Sequence, residues 1–364
     1  MRNKAMRVGM VCPYSLSVPG GVQSQVLAIA RAMRKRDVEV RVLGPCDGPP
    51  PDTGVTPLGN SLPTAANGSI APIAPEPAAQ LRTIRALREE RFDILHLHEP
   101  MVPGPTMTAL LVKGSPIVGT FHAAGSSAAY RWLGTALKKL SSRLDVRCAV
   151  SPDAEQMAKQ SLGGSYTVLF NGIDTDNHQN VLPWPKEAPT IFFIGRHENR
   201  KGLEVLLEAS QQLPQDWCIW IGGEGSETAK LSERYKHNSR LRWLGRIPAR
   251  EKAARLKAAD VFCAPSLGGE SFGVVLLEAM LAGTAIVASD LKSYSRVAQH
   301  GHEAILVPRG DSDALAKALL RAVSDTDLTQ SLIANGSLRV DEYSMDRLAE
   351  EYELIYRRMI NPKC

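Results

Sequence analysis

The amino-acid sequence predicts an α/β protein made of two domains, each built around a doubly wound parallel sheet. The chain has 364 residues, about twice the roughly 150 residues of an average domain. Short apolar runs alternate with segments in which apolar residues recur at helical spacing, and this alternation continues through both halves. Such alternation is typical of parallel sheets covered by helices on both faces.

The composition is that of a globular protein with a mild positive charge. Hydrophobic residues make up 44% of the chain, and 43 basic against 38 acidic residues give a net charge of +5. Nucleic-acid-binding proteins are usually far more basic, and no stretch approaches the roughly 20 apolar residues of a membrane-spanning helix. The six cysteines form no CxxC pair, which argues against a zinc site or a disulfide framework. Because the first apolar stretch reads as a β-strand and not as a signal peptide, we expect a cytoplasmic protein.

The first domain is predicted from a regular succession of strand and helix signals. A strand signal at 8–12 precedes a helix signal at 22–34, whose apolar residues recur at offsets of 3, 4 and 7. Further strands are predicted at 38–43, 92–97, 117–120 and 146–150. Residues 44–77 are dense in proline, glycine, asparagine and serine, so we expect a long irregular surface loop there.

A second strand and helix series begins near residue 190. Its strands are predicted at 191–194, 218–221, 241–244, 261–264, 285–288 and 304–307, and an amphipathic helix is predicted at 345–360. Residues 177–189 lie between the two series, contain three prolines and are the best linker candidate. Because ligands of doubly wound sheets bind beyond the carboxyl ends of the strands, we expect the chemistry in a cleft between the domains.

Two motifs at predicted strand ends suit an anionic ligand. Gly20 and Gly21 lie between the first strand and the first helix, where glycines let backbone N–H groups approach a phosphate. Arg196 and Lys201 follow the first strand of the second domain, and cations beside a helix start suit a diphosphate. An ordinary turn and a solvated charge run would give the same patterns, so neither motif decides the function alone.

A third motif, GGESFG at residues 268–273, places Glu270 among glycines and is followed by Glu278. The two glutamates are eight positions apart, about two helical turns, so we expect them to share one helix face. A carboxylate at a helix start is also a routine cap. Glycines on both sides of Glu270 are harder to explain by capping alone.

Histidines form the fourth motif. His122 follows a predicted strand and is expected to reach a ligand, although a core histidine is the plain alternative. His96 and His98 alternate along the preceding strand; with no third ligand evident, they indicate a buried polar pair more than a metal site. Of the two DxD strings, 311–313 is interpreted as a helix N-cap and 174–176 as a structural turn.

Together these motifs resemble the retaining GT-B glycosyltransferases that carry an E-x7-E signature, here Glu270 to Glu278. MRVGMVCPYSLSVPGGVQSQVL, HLHEP, TFH, the turn at 171–174 and APSLGGESFGVVLLEAMLAGTAIVASDL are similar to the actinobacterial phosphatidylinositol mannosyltransferases. The resemblance covers most of residues 6–360. It implies a GT-B fold in which two Rossmann-like domains face a central cleft.

The resemblance also implies a division of labour along the chain. Residues 1–172 would form the acceptor-binding domain, 173–344 the nucleotide-sugar-binding domain, and 345–364 a helix that crosses back to the first domain. The reaction would move mannose from GDP-mannose to the inositol ring of phosphatidylinositol, with retained configuration, at the inner face of the cell membrane. Two cations facing the leaving diphosphate would stabilise its developing charge, so no metal or other cofactor would be required.

Site residues carry over from the family motifs position by position. The catalytic set would be His122, Arg196, Lys201 and Glu270. The donor would contact Gly20, Gly21, Arg196, Lys201, Ile247, Lys252, Glu270, Phe272, Gly273, Val274 and Glu278. The acceptor would contact Tyr14, Gln23, Asn67, Ser69 and His122.

Two departures from the family pattern keep alternatives open. Ala249 stands where the family has the aspartate that reads guanine, and Glu251 is the available substitute. Residues 70–75 read IAPIAP where the family has arginines near the lipid phosphate. A related transferase that uses a UDP-linked sugar, or a soluble acceptor such as inositol phosphate, is the enzyme alternative. A non-catalytic two-domain binding protein is the alternative outside the enzymes.

Two basic amphipathic segments suit an anionic lipid surface. Arg82, Arg85, Arg88 and Arg91 recur every three residues in one helix signal, and residues 130–147 combine apolar and basic side chains. Ordinary solvated helix faces have the same pattern. Within a protein that resembles a lipid glycosyltransferase, the two interpretations are about equally supported.

Overall fold

The computed structural model describes residues 5–66, 69–122, 134–175, 178 and 180–361. The chain divides into two compact units, the first made of Met1–Gly172 and Met345–Cys364, the second of Ile173–Ser344. The chain therefore passes from the first unit to the second between Gly172 and Ile173 and returns between Ser344 and Met345. None of the described helices is long and apolar enough to cross a bilayer.

The first unit contains a parallel sheet and a separate hairpin. Its strands are β1 (Arg7–Val11), β2 (Glu39–Gly44), β3 (Val55–Pro57), β4 (Leu62–Ala66), β5 (Ser69–Ile73), β6 (Ile94–His98), β7 (Ile117–Phe121), β8 (Val146–Ala149) and β9 (Thr167–Val168). Seven of them form one sheet in the order β3-β2-β1-β6-β7-β8-β9, with every pairing parallel. The helices that follow its strands are α1 (Gly21–Lys35), α2 (Pro77–Glu90), α3 (Pro105–Val112), α4 (Gly134–Ser141) and α5 (Pro152–Leu162).

The second unit repeats this design around a six-stranded parallel sheet. Its strands are β10 (Thr190–Ile194), β11 (Cys218–Gly222), β12 (Leu241–Gly245), β13 (Val261–Ala264), β14 (Ala285–Ser289) and β15 (Ile305–Val307). Their order in the sheet is β12-β11-β10-β13-β14-β15. Its helices are α6 (Leu203–Ala209), α7 (Thr228–Arg234), α8 (Ala249–Ala258), α9 (Val274–Ala282), α10 (Lys292–Val297), α11 (Ser312–Ser324) and α12 (Thr326–Val340). The α/β fold with two doubly wound sheets that the sequence predicts is confirmed.

The last helix, α13 (Met345–Ile360), belongs to the first unit and packs against α1. Its apolar stripe buries Tyr352 and Tyr356 in a core with Ile29 and Met33 of α1 and with β1 and β2. The opposite face of the sheet is covered by α2, α3, α4 and α5. Because side chains alternate along each strand, the two helical layers bury separate cores.

The structure corrects the expectation of an irregular loop over 44–77. This stretch contains the edge strand β3 and the antiparallel hairpin of β4 and β5. The sequence analysis did not predict these strands, because their stretch is rich in proline and glycine, which are typical of turns and loops. Pro63 and Pro72 face each other across the hairpin, which forms a two-stranded sheet within the described residues, so their missing N–H groups interrupt no ladder to a third strand there and proline is tolerated.

The proline-rich segment at 177–189 lies within the second unit, and the crossing point precedes it. The Trp184 backbone N–H donates to the Ala254 carbonyl at 3.0 Å, and the Trp184 ring stacks on the Arg255 guanidinium. The segment thus packs against α8. Local capping agrees with the sequence elsewhere: the Asp311 carboxylate accepts from the Ala314 N–H at 2.8 Å at the start of α11, which confirms the predicted N-cap.

Candidate functional site

The carboxyl ends of β6 and β7 bring a group of histidines together in the first unit. The two strands are parallel neighbours, so His98, which ends β6, and His122, which follows β7, lie side by side. His98 Nδ1 and His122 Nε2 are 2.9 Å apart, within hydrogen-bond distance. Both residues are buried, and burial lowers the pKa of His122 to about 3 and the pKa of His98 well below its usual value. The two rings are therefore neutral at physiological pH.

Glu99 completes this edge and was not selected from the sequence. It is buried, its backbone φ is +50°, and its carboxylate accepts a hydrogen bond of 2.7 Å from the His122 N–H. A non-glycine residue in the left-handed region is strained and persists when its surroundings hold it, often at a functional site. The glutamate that follows the two histidines in the HLHEP string was the signal that could have identified this residue.

His96 connects the same edge to the last helix. Its Nδ1 lies 2.6 Å from the Tyr356 hydroxyl and its Nε2 lies 2.7 Å from the Thr120 hydroxyl, which is 3.0 Å from the Tyr352 hydroxyl. The His96 and His98 rings stack with centroids 4.2 Å apart. The predicted polar pair on one strand face is present, and it belongs to a wider network.

The predicted acceptor residues of the first unit lie around the chain that precedes α1. Tyr14 forms an antiparallel bridge with Ile73 at the end of β5, and burial raises the pKa of Tyr14. The Gln23 amide nitrogen is committed within the unit, because it donates to the carbonyls of Ser15 and Val18 at 3.3 and 3.2 Å. Asn67 lies outside the described residues, and Ser69 is the first residue of β5.

Gly20 and Gly21 stand at the start of α1, as the sequence predicts. Gly20 is the N-cap, and a Cβ added there would collide with the Gln23 side-chain oxygen. Gly21 is exposed, and a Cβ added there would meet nothing within 4 Å. A cavity of about 610 Å³ borders Gly20 and Gln23. Gly20 therefore serves close packing, whereas Gly21 leaves its backbone open to a ligand.

In the second unit, cations gather around Glu270. Lys201 Nζ lies 2.6 Å from Glu270 Oε1, and Arg200 Nη1 lies 3.6 Å from the same oxygen. The Ser266 hydroxyl donates to that oxygen at 3.1 Å and is 3.0 Å from the Tyr294 hydroxyl. Arg196 follows β10 and pairs with Glu198 at 2.9 Å, with half of its side chain exposed. Two of the predicted catalytic residues are thus in contact, and Arg196 begins the loop that leads to Lys201.

The expectation that Glu270 and Glu278 share a helix face is wrong. The helix α9 begins at Val274, so Glu270 lies in the preceding turn and only Glu278 is helical. Gly269 and Gly273 adopt φ of +71° and +101°, which ends any helical continuation. A Cβ on Gly273 would lie 2.8 Å from the Tyr294 ring. The glycines therefore shape a turn that holds Glu270 and the buried Phe272 ahead of the helix.

A second ion pair joins the remaining predicted donor residues. Lys252, in the first turn of α8, places Nζ 2.6 Å from Glu278 Oε1 on α9. Ile247 is partly buried in the segment between β12 and α8 and packs on the adjacent core. His178 was missed by the sequence analysis. Neither of its buried ring nitrogens has a hydrogen-bond partner in the described part of the chain, and burial lowers the pKa of His178, with the Glu278 charge opposing that shift.

Glu251, the substitute suggested for the missing aspartate, already has a partner. Its Oε1 accepts from Arg255 Nε at 2.8 Å. The Arg255 guanidinium lies between two indole rings, 4.2 Å from the Trp184 centroid and 4.8 Å from the Trp220 centroid. Glu251 therefore holds the Arg255 guanidinium in place against the two indole rings.

The chain is similar to known proteins over nearly its whole length. Residues 174–339 match the family model described as glycosyl transferases group 1, and residues 19–177 match that described as glycosyltransferase family 4. The chain is 39% identical over 363 residues to a phosphatidyl-myo-inositol mannosyltransferase of Mycobacterium leprae, with 96% of each chain covered. It is 38% identical over 361 residues to that of Mycolicibacterium smegmatis, with 96% of this chain and 93% of the relative covered.

Solved structures agree on the fold. Sucrose-phosphate synthase from Thermosynechococcus elongatus matches with a TM-score of 0.78, covering 98% of this chain and 100% of that chain. The sequence identity is 18%, so this likeness concerns the fold alone.

Proposed function

This chain belongs to the GT-B glycosyltransferases, in the family of the phosphatidyl-myo-inositol mannosyltransferases, and we propose from that premise a specific reaction. The protein transfers mannose from GDP-mannose to the inositol ring of phosphatidylinositol and retains the anomeric configuration. The family predicted from the sequence is confirmed by the comparisons. The observation that carries the proposal is the contact between Lys201 and Glu270, with Arg196 at the head of the same loop.

The donor half of the reaction follows from the charges of the second unit. Departure of a nucleoside diphosphate concentrates negative charge on its phosphate oxygens, and Arg196 and Lys201 are the cations placed to neutralise it. Lys201 is paired with Glu270 here, so donor binding exchanges that partner for phosphate and frees Glu270 to accept from sugar hydroxyls. With two cations in this role, we propose that the reaction needs no metal.

The acceptor half rests on the first unit. His122 is neutral and lies at the carboxyl end of β7, where a ligand of this sheet binds. Tyr14 and Gln23 lie beside the β4–β5 hairpin, which carries Ser69. This arrangement supports inositol binding between the hairpin and the start of α1.

Association with the inner face of the membrane is part of the proposal. On α2, Ala86 and Leu87 are buried, while Leu81 is 67% exposed and lies one helical turn before Arg85, whose guanidinium pairs with Glu89 at 2.7 Å. Basic side chains next to an exposed leucine favour an anionic lipid surface. In the second basic segment, residues 130–133 lie outside the described residues, and Leu137 of α4 packs into the core.

The identity of the nucleotide base in the donor is where the alternative reaction, with a UDP-linked sugar, is still supported. A guanine presents N–H donors that need an acceptor, and the Glu251 carboxylate is engaged by Arg255. A UDP-linked sugar donor is therefore the second candidate. A soluble inositol phosphate acceptor is tested in the same experiment.

The test is incorporation of labelled sugar by the purified full chain. GDP-mannose, UDP-glucose and ADP-glucose are each offered with phosphatidylinositol vesicles or with inositol phosphate, and product linkage is read by NMR. Transfer of α-mannose to the lipid is the expected result. Transfer from a UDP or ADP sugar alone would overturn the GDP-mannose assignment, and a water-soluble product would overturn the lipid assignment.

A matched pair of variants tests whether the site in the second unit is responsible. Glu270→Gln should abolish transfer with the fold intact, whereas Glu342→Gln, at an exposed ion pair with Arg339 in the same unit, should not change it. Equal activity of the two variants would contradict the assignment of Glu270.

A further inference from the structure

His98 is a fully buried titratable residue to which the proposed mechanism gives no task. Its Nδ1 is engaged by His122 Nε2 at 2.9 Å, and its Nε2 is buried with no hydrogen-bond partner in the described part of the chain. A polar atom left unpaired in a core needs an explanation, because burial without a partner destabilises the fold. The tautomers of the two rings supply one.

We propose that His98 is a positioning residue that holds His122 as a neutral ring with its proton on Nδ1, so that His122 serves the reaction as a hydrogen-bond donor. This inference rests on the proposed function for the identity of the ligand. The acceptor of that hydrogen bond is a hydroxyl or ring oxygen of the donor sugar or of the acceptor polyol. His98 itself contacts no substrate.

Two arrangements of protons satisfy the contact between the rings. In the first, His98 carries its proton on Nδ1 and donates to a bare His122 Nε2, which leaves a bare nitrogen at His98 Nε2. In the second, His122 donates from Nε2 to a bare His98 Nδ1, which forces the His98 proton onto the unpartnered Nε2. Orphaned N–H groups in a core are rarer than orphaned acceptors, so the first arrangement is favoured.

The first arrangement fixes the other end of His122. A neutral imidazole carries one proton, so a ring that accepts at Nε2 must carry its proton on Nδ1. A ligand oxygen at Nδ1 would therefore meet an N–H and not a lone pair. This excludes general-base work by His122 and gives it the role of stabilising an oxygen that gains negative charge in the transition state.

The surroundings also oppose a doubly protonated pair. His96 stacks on His98 and is itself buried and neutral, with its nitrogens on the Tyr356 and Thr120 hydroxyls. Tyr352 adds a further hydroxyl through Thr120. Glu99 is the acidic residue in contact with His122. Its Oε1 atom accepts a hydrogen bond from the His122 backbone N–H.

The direct test is the tautomer of His122 in the intact protein. Full-length chain is labelled with ¹⁵N in the histidine rings, and the His122 signals are assigned by comparison with His122→Gln. The expected spectrum shows a neutral ring with the proton on Nδ1, unchanged from pH 8 to pH 6. A proton on Nε2, or an imidazolium in this range, would overturn the proposal.

Substitutions of His98 test the consequence for turnover. Asparagine can place an amide N–H where Nδ1 stands, whereas aspartate presents only an acceptor there and pulls the His122 proton to Nε2. We expect His98→Asp to lower kcat by roughly 10²-fold, the usual effect of losing one transition-state donor. His98→Asn should retain clearly more activity, with donor KM unchanged in both variants. Equal kcat for the two would contradict the donor role.

Two readouts separate this inference from the proposed function and from misfolding. The tautomer is measured without substrate, so it stands or falls whichever sugar the enzyme transfers. Nucleotide binding and the unfolding transition of His98→Asp report whether the fold survives. A pH profile adds a signature that a structural defect would not give, because a carboxylate beside His122 raises its pKa and introduces an ionisation near neutral pH that the native enzyme lacks.

Discussion

The candidate sites of the two units use opposite electrostatics. In the second unit, charged residues pair with one another: Lys201 with Glu270 and Lys252 with Glu278, each at 2.6 Å and partly exposed. In the first unit, the histidines at the sheet edge are buried and neutral, and they are joined to each other and to hydroxyl groups. Under the proposed function, the charged site neutralises the leaving group, and the neutral site holds His122 as a hydrogen-bond donor. The two sites should therefore respond differently to mutation and to pH.

After Glu270→Gln, removal of a cation from the charged site should give the largest effect. Lys201→Ala leaves the diphosphate with one facing cation fewer, and loss of such a charge costs about 10²- to 10³-fold in kcat. The measurement is single-turnover sugar transfer with saturating donor. Lys236→Ala, at an exposed ion pair with Glu233, is the matched control and should behave as the native enzyme. If the two alanine variants lose equal activity, the charged site is misassigned.

The buried neutral histidines should make the unfolding free energy of the first unit depend on pH in the acid range. Burial lowers the pKa of His96 and of His122 from 6.5 to about 3, so between these values the unfolded chain binds protons that the folded chain does not. Stability is therefore complete above about pH 6.5 and falls as the pH drops towards 3. Each of the two histidines should cost about 1.4 kcal/mol per pH unit within this window.

Chemical unfolding at pH 7 and pH 5 measures that dependence. Titrating carboxylates add their own slope, so the comparison is made between variants. His122→Asn should flatten the dependence, whereas His237→Gln, at an exposed histidine of the second unit, should leave it unchanged. An identical slope in both variants would mean that His122 is not the buried neutral group described here.

The turn before α9 is the next feature to test. Gly273→Ala combines a φ of +101° with a Cβ 2.8 Å from the Tyr294 ring, so we expect a loss of about 1–3 kcal/mol in unfolding free energy and weaker donor binding. Gly301→Ala is the control, because its φ is +73° but nothing lies within 4 Å of the added Cβ. The difference between the two variants measures the steric part. Nucleotide binding by calorimetry then shows whether the turn shapes the donor site.

The charged site was easier to recognise from sequence than the neutral one. Arg196, Lys201 and Glu270 stand in short glycine-containing motifs, and the doubly wound topology follows from the alternation of strand and helix signals. The contact between His98 and His122 joins residues 24 positions apart, so it depends on which strands become neighbours in the sheet. No local sequence pattern predicts this contact, although the sequence does show that each histidine lies at the end of a strand.

Backbone conformation accounts for the remaining differences. The spacing of Glu270 and Glu278 fits a helix as well as it fits a turn followed by a helix, and only the positive φ of Gly273 decides between them. The β4–β5 hairpin was not predicted because of its prolines, which are tolerated since no third strand joins the hairpin within the described part of the chain. The strained φ of Glu99 is likewise imposed by the fold. These are properties of tertiary neighbours, which short sequence windows do not contain.

The smallest expected effect concerns membrane binding by the surface of α2. It tests a second difference, which lies within the first unit, between the neutral histidine site and this basic helix. Arg85→Ala should weaken binding to vesicles of phosphatidylinositol and a zwitterionic lipid slightly, because a basic residue near an anionic surface attracts it and Glu89 already pairs with Arg85. Leu81→Ser should weaken binding further and lessen its salt resistance, since Leu81 is 67% exposed and its contribution is apolar. Arg321→Ala, at an exposed position of α11 in the second unit, is the control. Vesicle sedimentation at 50 and 300 mM salt, about 14 and 6 Å in Debye length, separates the two contributions. Binding that is equally strong in all three variants would remove α2 from the membrane proposal while leaving the transfer reaction untouched.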